Sequence, residues 1–140
     1  MLPLITEDVI RLIIKQQNMV LVGTVNSQGI PNISPRYVLG ILDNDRLLFA
    51  DGFENKTFHN IKSWPKISVA VLDSDTHGGY QLKGSVQEVA DPKLVSNAAV
   101  KLRGFGIDVT PVKVWTLKVE EVYSLEPSAK SKQPLASAYL

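Results

Sequence analysis

Between Val20 and Leu72 the chain runs through four apolar segments, and the first three are joined by connections too short to hold a crossover helix. VLVGTV at 20–25 is followed by the turn NSQG, then IPNISPRYVLGIL, the turn DND and RLLFADG. Parallel neighbours need a dozen or more residues between them, so these three segments must pair antiparallel. Only the third gap, filled by ENKTFHNIKSW before Pro65 and KISVAVL, has room for a helix. A doubly wound parallel sheet would need a helix between most strands, and is excluded by this spacing.

The second segment narrows the architecture further. Pro31 and Pro35 have no N–H to give to a ladder, so the strand is expected at an edge, or bulged at both places, with part of its backbone free for a ligand. Val20–Val25 is nearly all apolar, as in a wall buried on both sides. Ile67, Val69 and Val71 alternate with Ser68, Ala70 and Leu72, which gives a strand with one firmly apolar face. Tyr80–Val89 alternates over a length that must curve around a barrel, and Gly84 in its middle marks the bend.

Helices are predicted around this frame. Thr6 is placed to cap a first helix with Glu7 and Asp8 in its opening turn, Val9, Ile10, Ile13 and Ile14 on a buried face, and Asn18 as a left-handed stop. A second runs from Lys56 to Ser63. A third opens on Asp91 and Pro92, with Leu94, Val95, Ala98 and Leu102 in one stripe. RGFGIDVTP is expected as a loop, and a last strand continues from Val112 to Tyr123. The tail 126–140 has no repeating pattern; it is expected at the surface or against a partner subunit, outside a single domain of residues 1–125. The fold class that follows is mainly β, an antiparallel six-stranded barrel with short helices over its openings.

Composition excludes several chemistries. A formal charge of +1 offers no nucleic-acid footprint. No apolar run reaches the ~20 residues of a spanning helix, and MLPLITEDVI lacks the basic start and apolar core of a signal peptide, so a cytoplasmic protein is expected. There is no cysteine, hence no disulfide and no thiolate nucleophile. Two histidines, His59 and His77, make an imidazole metal site improbable on numbers alone. Any redox role must therefore rest on a bound organic cofactor.

Asn55, Lys56 and Thr57 form the most informative short run. A helix start offers unpaired N–H groups and positive dipole, lysine adds a full charge and threonine a hydroxyl, a combination suited to phosphate. N-cap polar residues start most helices, so the run counts only through its position, with Arg36, Tyr37 and Asp51 on adjoining strands near the same mouth.

With these pieces in place, GTVNSQGIPNISPRYV, RLLFADG, NKTFHNIKSWPKISVAVL and GYQLKGSVQEV together resemble, in order and over about half the chain, the FMN-binding split-barrel proteins related to pyridoxamine 5'-phosphate oxidase. The likeness is to the small single-domain members, and it implies a Greek-key split barrel, FMN as cofactor and a homodimer with FMN near the subunit interface. It implies that the segment holding Asn32, Ser34, Pro35, Arg36 and Tyr37 runs beside the isoalloxazine ring and that Ala50 and Asp51 approach it. Asn55, Lys56 and Thr57 would then hold its phosphate. Arg36 has three alternatives: pairing with phosphate, lying over the ring, or bridging Asp43 or Glu54. Gln81 contacts the ring or faces solvent, and Trp115 and Phe105 stack near the flavin or pack within the protein. The family's oxidases carry a C-terminal arginine segment for the substrate phosphate; here that stretch has Lys130 and Lys132 and no arginine, so vitamin B6 oxidation is not expected. The expected activity is electron transfer, as an oxidoreductase or a flavin carrier with a small-molecule or protein redox partner. Alternatives on the same fold are a deazaflavin or haem ligand, or a cofactor-free dimeric interaction module.

Overall fold

The computed structural model describes residues 3–128 and 133–139. Lys130 and Lys132 lie outside the described residues. Its elements in chain order are α1 (Glu7–Lys15), β1 (Met19–Val25), β2 (Pro31–Tyr37), β3 (Gly40–Leu42), β4 (Arg46–Asp51), α2 (Lys56–Ser63), β5 (Lys66–Asp73), β6 (Gly78–Glu88), α3 (Pro92–Gly104), β7 (Lys113–Ser124) and β8 (Ala136–Ser137). All strand pairs are antiparallel. They form one sheet in the order β2-β1-β5-β6-β7-β4-β3, with β8 added on β7. The sheet is thus the expected antiparallel split barrel, with eight strands where six were expected.

Two of those strands come from segments expected otherwise. PNISPRYVLGIL divides at Val38 and Leu39, where pairing passes from β1 to β4: the Val38 N–H donates to Asn18 O and the Leu39 N–H to Leu48 O. Both side chains are buried, so the chain turns a packed corner there. The second is in the tail, where Leu135 N donates to Val122 O and Ala138 N to Glu120 O. β8 thereby takes up the β7 edge beyond Lys118, past the point opposite Arg46 where β4 begins, within the same chain.

Because β2 and β3 stand at the two ends of the strand order, no ladder among the described residues closes the barrel. β2 pairs with β1 along its whole length, from Met19 opposite Tyr37 to Val25 opposite Pro31, and no strand of the described residues pairs with its other edge. This meets the expectation from Pro31 and Pro35.

The larger core lies inside the curl, where Val20, Val22, Phe49, Val69, Leu82 and Leu117 meet α1 through Val9 and Ile13 and α2 through Phe58 and Ile61. A smaller core on the outer side of β4 joins Leu48, Ala50 and Val114 to Ala98 and Leu102 of α3. β4 is therefore covered on both faces, which explains its unbroken apolar run. Thr6 does stand at the N-cap of α1, but its side chain makes no capping hydrogen bond. Asn18 adopts the left-handed conformation expected of it, φ 65°. At Gly84 the β6–β7 register shifts, and a Cβ there would lie 1.9 Å from Lys118 O; only glycine permits this approach.

Candidate functional site

The corner where β2, the end of β4, α2 and the segment after α3 meet is built around a buried charge. Asp51, the last residue of β4, is fully buried, and its Oδ1 accepts from Arg36 Nε at 2.8 Å and Nη2 at 2.6 Å. Trp115 Nε1 donates to Oδ2 at 2.6 Å. Arg36 also donates to Pro35 O and, at 3.4 Å, to Asn55 Oδ1, so four of its five N–H groups are engaged. Of the bridges expected for Arg36, neither the one to Asp43 nor the one to Glu54 forms; its partner is Asp51, which reaches it because β2 curls over the β4 terminus.

Asn55 connects this network to α2. It caps the helix, its Oδ1 accepting from Phe58 N at 3.0 Å, while the first N–H groups of α2 remain open. Thr57, for which the resemblance implies a phosphate role, has its hydroxyl engaged within the protein. It is 2% exposed, with Oγ1 2.5 Å from Ser34 Oγ and 3.3 Å from Asn32 Nδ2. Its hydroxyl ties β2 to α2. A further buried pair joins the helix to β1, with Asn60 Nδ2 donating to Thr24 Oγ1 at 3.0 Å.

Two clefts flank β2. One, about 250 Å³, holds Asn26, Ile30, Pro31, Asn32, Lys56 and Asn60. Lys56 is exposed there, and no carboxylate among the described residues pairs with it. The other, about 270 Å³, lies at the Tyr37 end and is walled by Pro35, Tyr37, Ala50 and Phe53 on one side and Leu102, Ile107 and Val109 on the other. Asn32 and Tyr37 are ~16 Å apart along the strand, so the two clefts mark opposite ends of one edge: a cationic end and an apolar end.

Of the apolar wall after α3, Ile107 and Val109 are the part that sequence reasoning missed; Phe105, just before them, was expected to stack near the flavin or pack within the protein. Phe105 stacks on Tyr37 with centroids 4.6 Å apart and planes 9° from parallel. Val109 lies so close to Gly52 that a Cβ there would be 2.6 Å from Val109 Cγ1. The available signal was the apolar spacing of Phe105, Ile107 and Val109 within an apparent loop.

Most of the residues singled out in the sequence therefore come together: Asn32, Ser34, Pro35, Arg36, Tyr37, Ala50, Asp51, Asn55, Lys56 and Thr57. Trp115 joins them from below, but its ring is buried against Phe58 and offers no open face. Gln81 stands apart. The register places Pro35, Leu21, Ala70 and Gln81 in one row, so Gln81 lies three strands from β2, ~14 Å away on the outer face. His59 and His77 are exposed, and no cluster of three potential metal ligands occurs among the described residues. A larger groove of about 450 Å³ on the outer sheet carries Lys66, Lys83, Glu120 and Glu121, charges of both signs that bind one another or nearby hydroxyl and aromatic groups.

The comparisons agree with this architecture. Protein MJ0282 of Methanocaldococcus jannaschii is 25% identical over 124 residues, 87% of this chain and 81% of that protein. Among solved structures, HupZ of Group A Streptococcus superposes with a TM-score of 0.76 at 24% identity, covering 91% of this chain and 98% of that one. An FMN-binding protein from Syntrophomonas wolfei gives 0.68 at 16%, covering 86% and 85%. A haem-binding protein from Mycobacterium smegmatis gives 0.63 at 22%, covering 81% of this chain and 51% of that one. At these identities the structural matches show a shared fold. The family model for pyridoxamine 5'-phosphate oxidase matches residues 6–126, and with the split-barrel sheet and its β2 edge in view, the chain belongs to the pyridoxamine 5'-phosphate oxidase family.

Proposed function

We propose that the protein binds FMN non-covalently and works as a flavin-dependent oxidoreductase or electron carrier. The observation that carries this reading is the unpaired Lys56 at the open N-terminus of α2, beside the strand-free edge of β2. Lys56 and the first N–H groups of α2 would hold the phosphate. The β2 edge from Pro35 to Tyr37, with Ala50 and the wall formed by Leu102, Ile107 and Val109, would receive the ring and shield it from water. When bound, FMN supplies the redox chemistry, and the protein supplies anchoring, orientation and access.

The apolar cleft is slightly below the ~300–1,000 Å³ of a complete small-molecule site, which supports a site completed by a second copy. Exposed apolar side chains on the outer sheet face, Met19, Leu21, Ile33 and Leu72, supply a surface for it, and Gln81 lies in the same face. A cytoplasmic location belongs to the same proposal; it is supported by the cysteine-free composition, and no described helix is long and apolar enough to cross a membrane.

Visible spectroscopy of the purified protein and the mass of the released ligand test the proposal, followed by FMN titration of Lys56→Ala. Loss of one charge-assisted contact, about 1.5–3 kcal/mol, predicts roughly 10- to 100-fold weaker binding. A colourless protein that refuses added FMN overturns the reading, and unchanged affinity in the variant removes Lys56 from the site. A second reading, haem, draws on the haem-binding protein of the same fold. A Soret band in place of flavin absorption would select it, and His59→Ala and His77→Ala would then identify the ligand to iron.

A further inference from the structure

We propose that Asp51 is a resident anion that occupies Arg36 and thereby sets how much of the site's affinity comes from a ligand phosphate. The inference rests on the FMN reading for its ligand, but its physical content concerns two side chains of this chain.

Arg36 has the position of an anion receptor. Its guanidinium lies beside the N-cap of α2, 3.4 Å from Asn55 Oδ1, and it lines the apolar cleft together with Asn55 and Pro35. A free arginine there would add a full charge and paired donors to the open N–H groups of the helix. Asp51 supplies that anion from within. Its carboxylate is entirely buried, receives both Nε and Nη2, and is held from the opposite side by Trp115 Nε1. Thr57, the other group suited to phosphate, has its hydroxyl engaged by Ser34 and Asn32. Charge recognition of a ligand therefore falls to Lys56, at the other end of the helix opening. The site then selects chiefly by ring shape and apolar contact, and it distinguishes FMN from riboflavin only by what Lys56 and the helix N–H groups contribute.

Asp51→Asn tests this, because the amide oxygen can still accept from Trp115 while the negative charge is gone. Arg36 then lacks a counter-ion, and a ligand phosphate can supply it. Titrations with FMN and with riboflavin are compared, together with the melting temperature in inorganic phosphate. The expected result is FMN binding about tenfold tighter, riboflavin within about twofold of the parent protein, and a phosphate-dependent rise in Tm larger than that of the parent. FMN binding unchanged or weaker in a folded variant, with no added response to phosphate, overturns the proposal.

Removing one member of a buried pair can prevent folding, whereas removing both is often tolerated. The double variant R36M/D51N covers that case. The ratio of its FMN affinity to its riboflavin affinity should stay within about twofold of the parent's, since any contact of Arg36 with the ring is common to both flavins; a larger fall in that ratio would show that Arg36 already serves the phosphate, and overturns the proposal. If neither parent nor variant takes up any flavin, the FMN reading fails, while the phosphate response of Asp51→Asn still decides the role of Asp51.

Discussion

Thr57→Val separates a hydroxyl that anchors a ligand from one that holds the protein together. The substitution keeps the shape of the side chain and removes Oγ1, which stands 2.5 Å from Ser34 Oγ and 3.3 Å from Asn32 Nδ2 in a residue that is 2% exposed. Each lost hydrogen bond is worth about 0.5–1.5 kcal/mol net, and a buried group left without a partner costs about 1–3. Ser34 and Asn32 are only half-buried, so water can take over part of the loss. The expected destabilisation is about 1–2 kcal/mol, or a Tm lower by about 3–8 °C in a domain of this size. Urea and thermal unfolding give the stability; parallel titrations with FMN and riboflavin give the binding. Because the hydroxyl acts between β2 and α2, both flavins should weaken by the same factor. Unchanged stability with a selective loss of FMN would refute this reasoning and return Thr57 to the phosphate site.

Other perturbations test other parts of the structure. Gly84→Ala places a methyl against Lys118 O at the β6–β7 bulge, and should destabilise by about 3 kcal/mol or more in urea unfolding; a loss below about 1 kcal/mol would show that the bulge relaxes around it. Gly52→Ala drives a methyl into Val109 Cγ1 and should displace the wall after α3, altering ligand affinity with little change in global stability; equal affinity for FMN would detach that wall from the site. The hydrogen bond from Ser85, then Lys66, holds the Glu120 carboxyl below its ordinary range. A depressed folded pKa means that its stabilisation is complete above the unfolded value, ~4.3, and disappears as pH falls through the lower folded value. The urea midpoint should therefore fall on acidification below about pH 4.3 less steeply in Glu120→Gln than in the parent; parallel curves would remove Glu120 from the acid transition.

Local patterns carried much of the fold. The turns at NSQG and DND forced antiparallel pairing, Pro31 and Pro35 placed β2 at an edge, Gly84 marked the bulge, and Asp91 with Pro92 opened α3. Each depends on a backbone property of one or two residues, which sequence records directly. The break at Val38 and Leu39 was not legible, because a buried apolar run looks alike whether it continues along one partner or changes to another. β8 was missed for a related reason: two residues have no period, and they become a strand only because β4 leaves the β7 edge unoccupied beyond Lys118.

At the site, the sequence alone determined which residues would meet: β2, the end of β4 and the start of α2 are joined by short connections that keep them near one another. Which partner each side chain takes was decided by tertiary structure. Arg36 is next to several carboxylates in sequence terms, yet only the curl of β2 over β4 makes Asp51 the one it binds. Trp115 and Phe105 are far along the chain from β2, and their contacts with Asp51 and Tyr37 exist because β7 pairs edge to edge with β4 and turns Trp115 into the inner core, while α3 packs on the outer face of β4. Short-range constraints act through backbone geometry and survive in the sequence as spacing. Pairings of buried charges and aromatic rings depend on which surfaces the closed core brings together, and no local pattern encodes them.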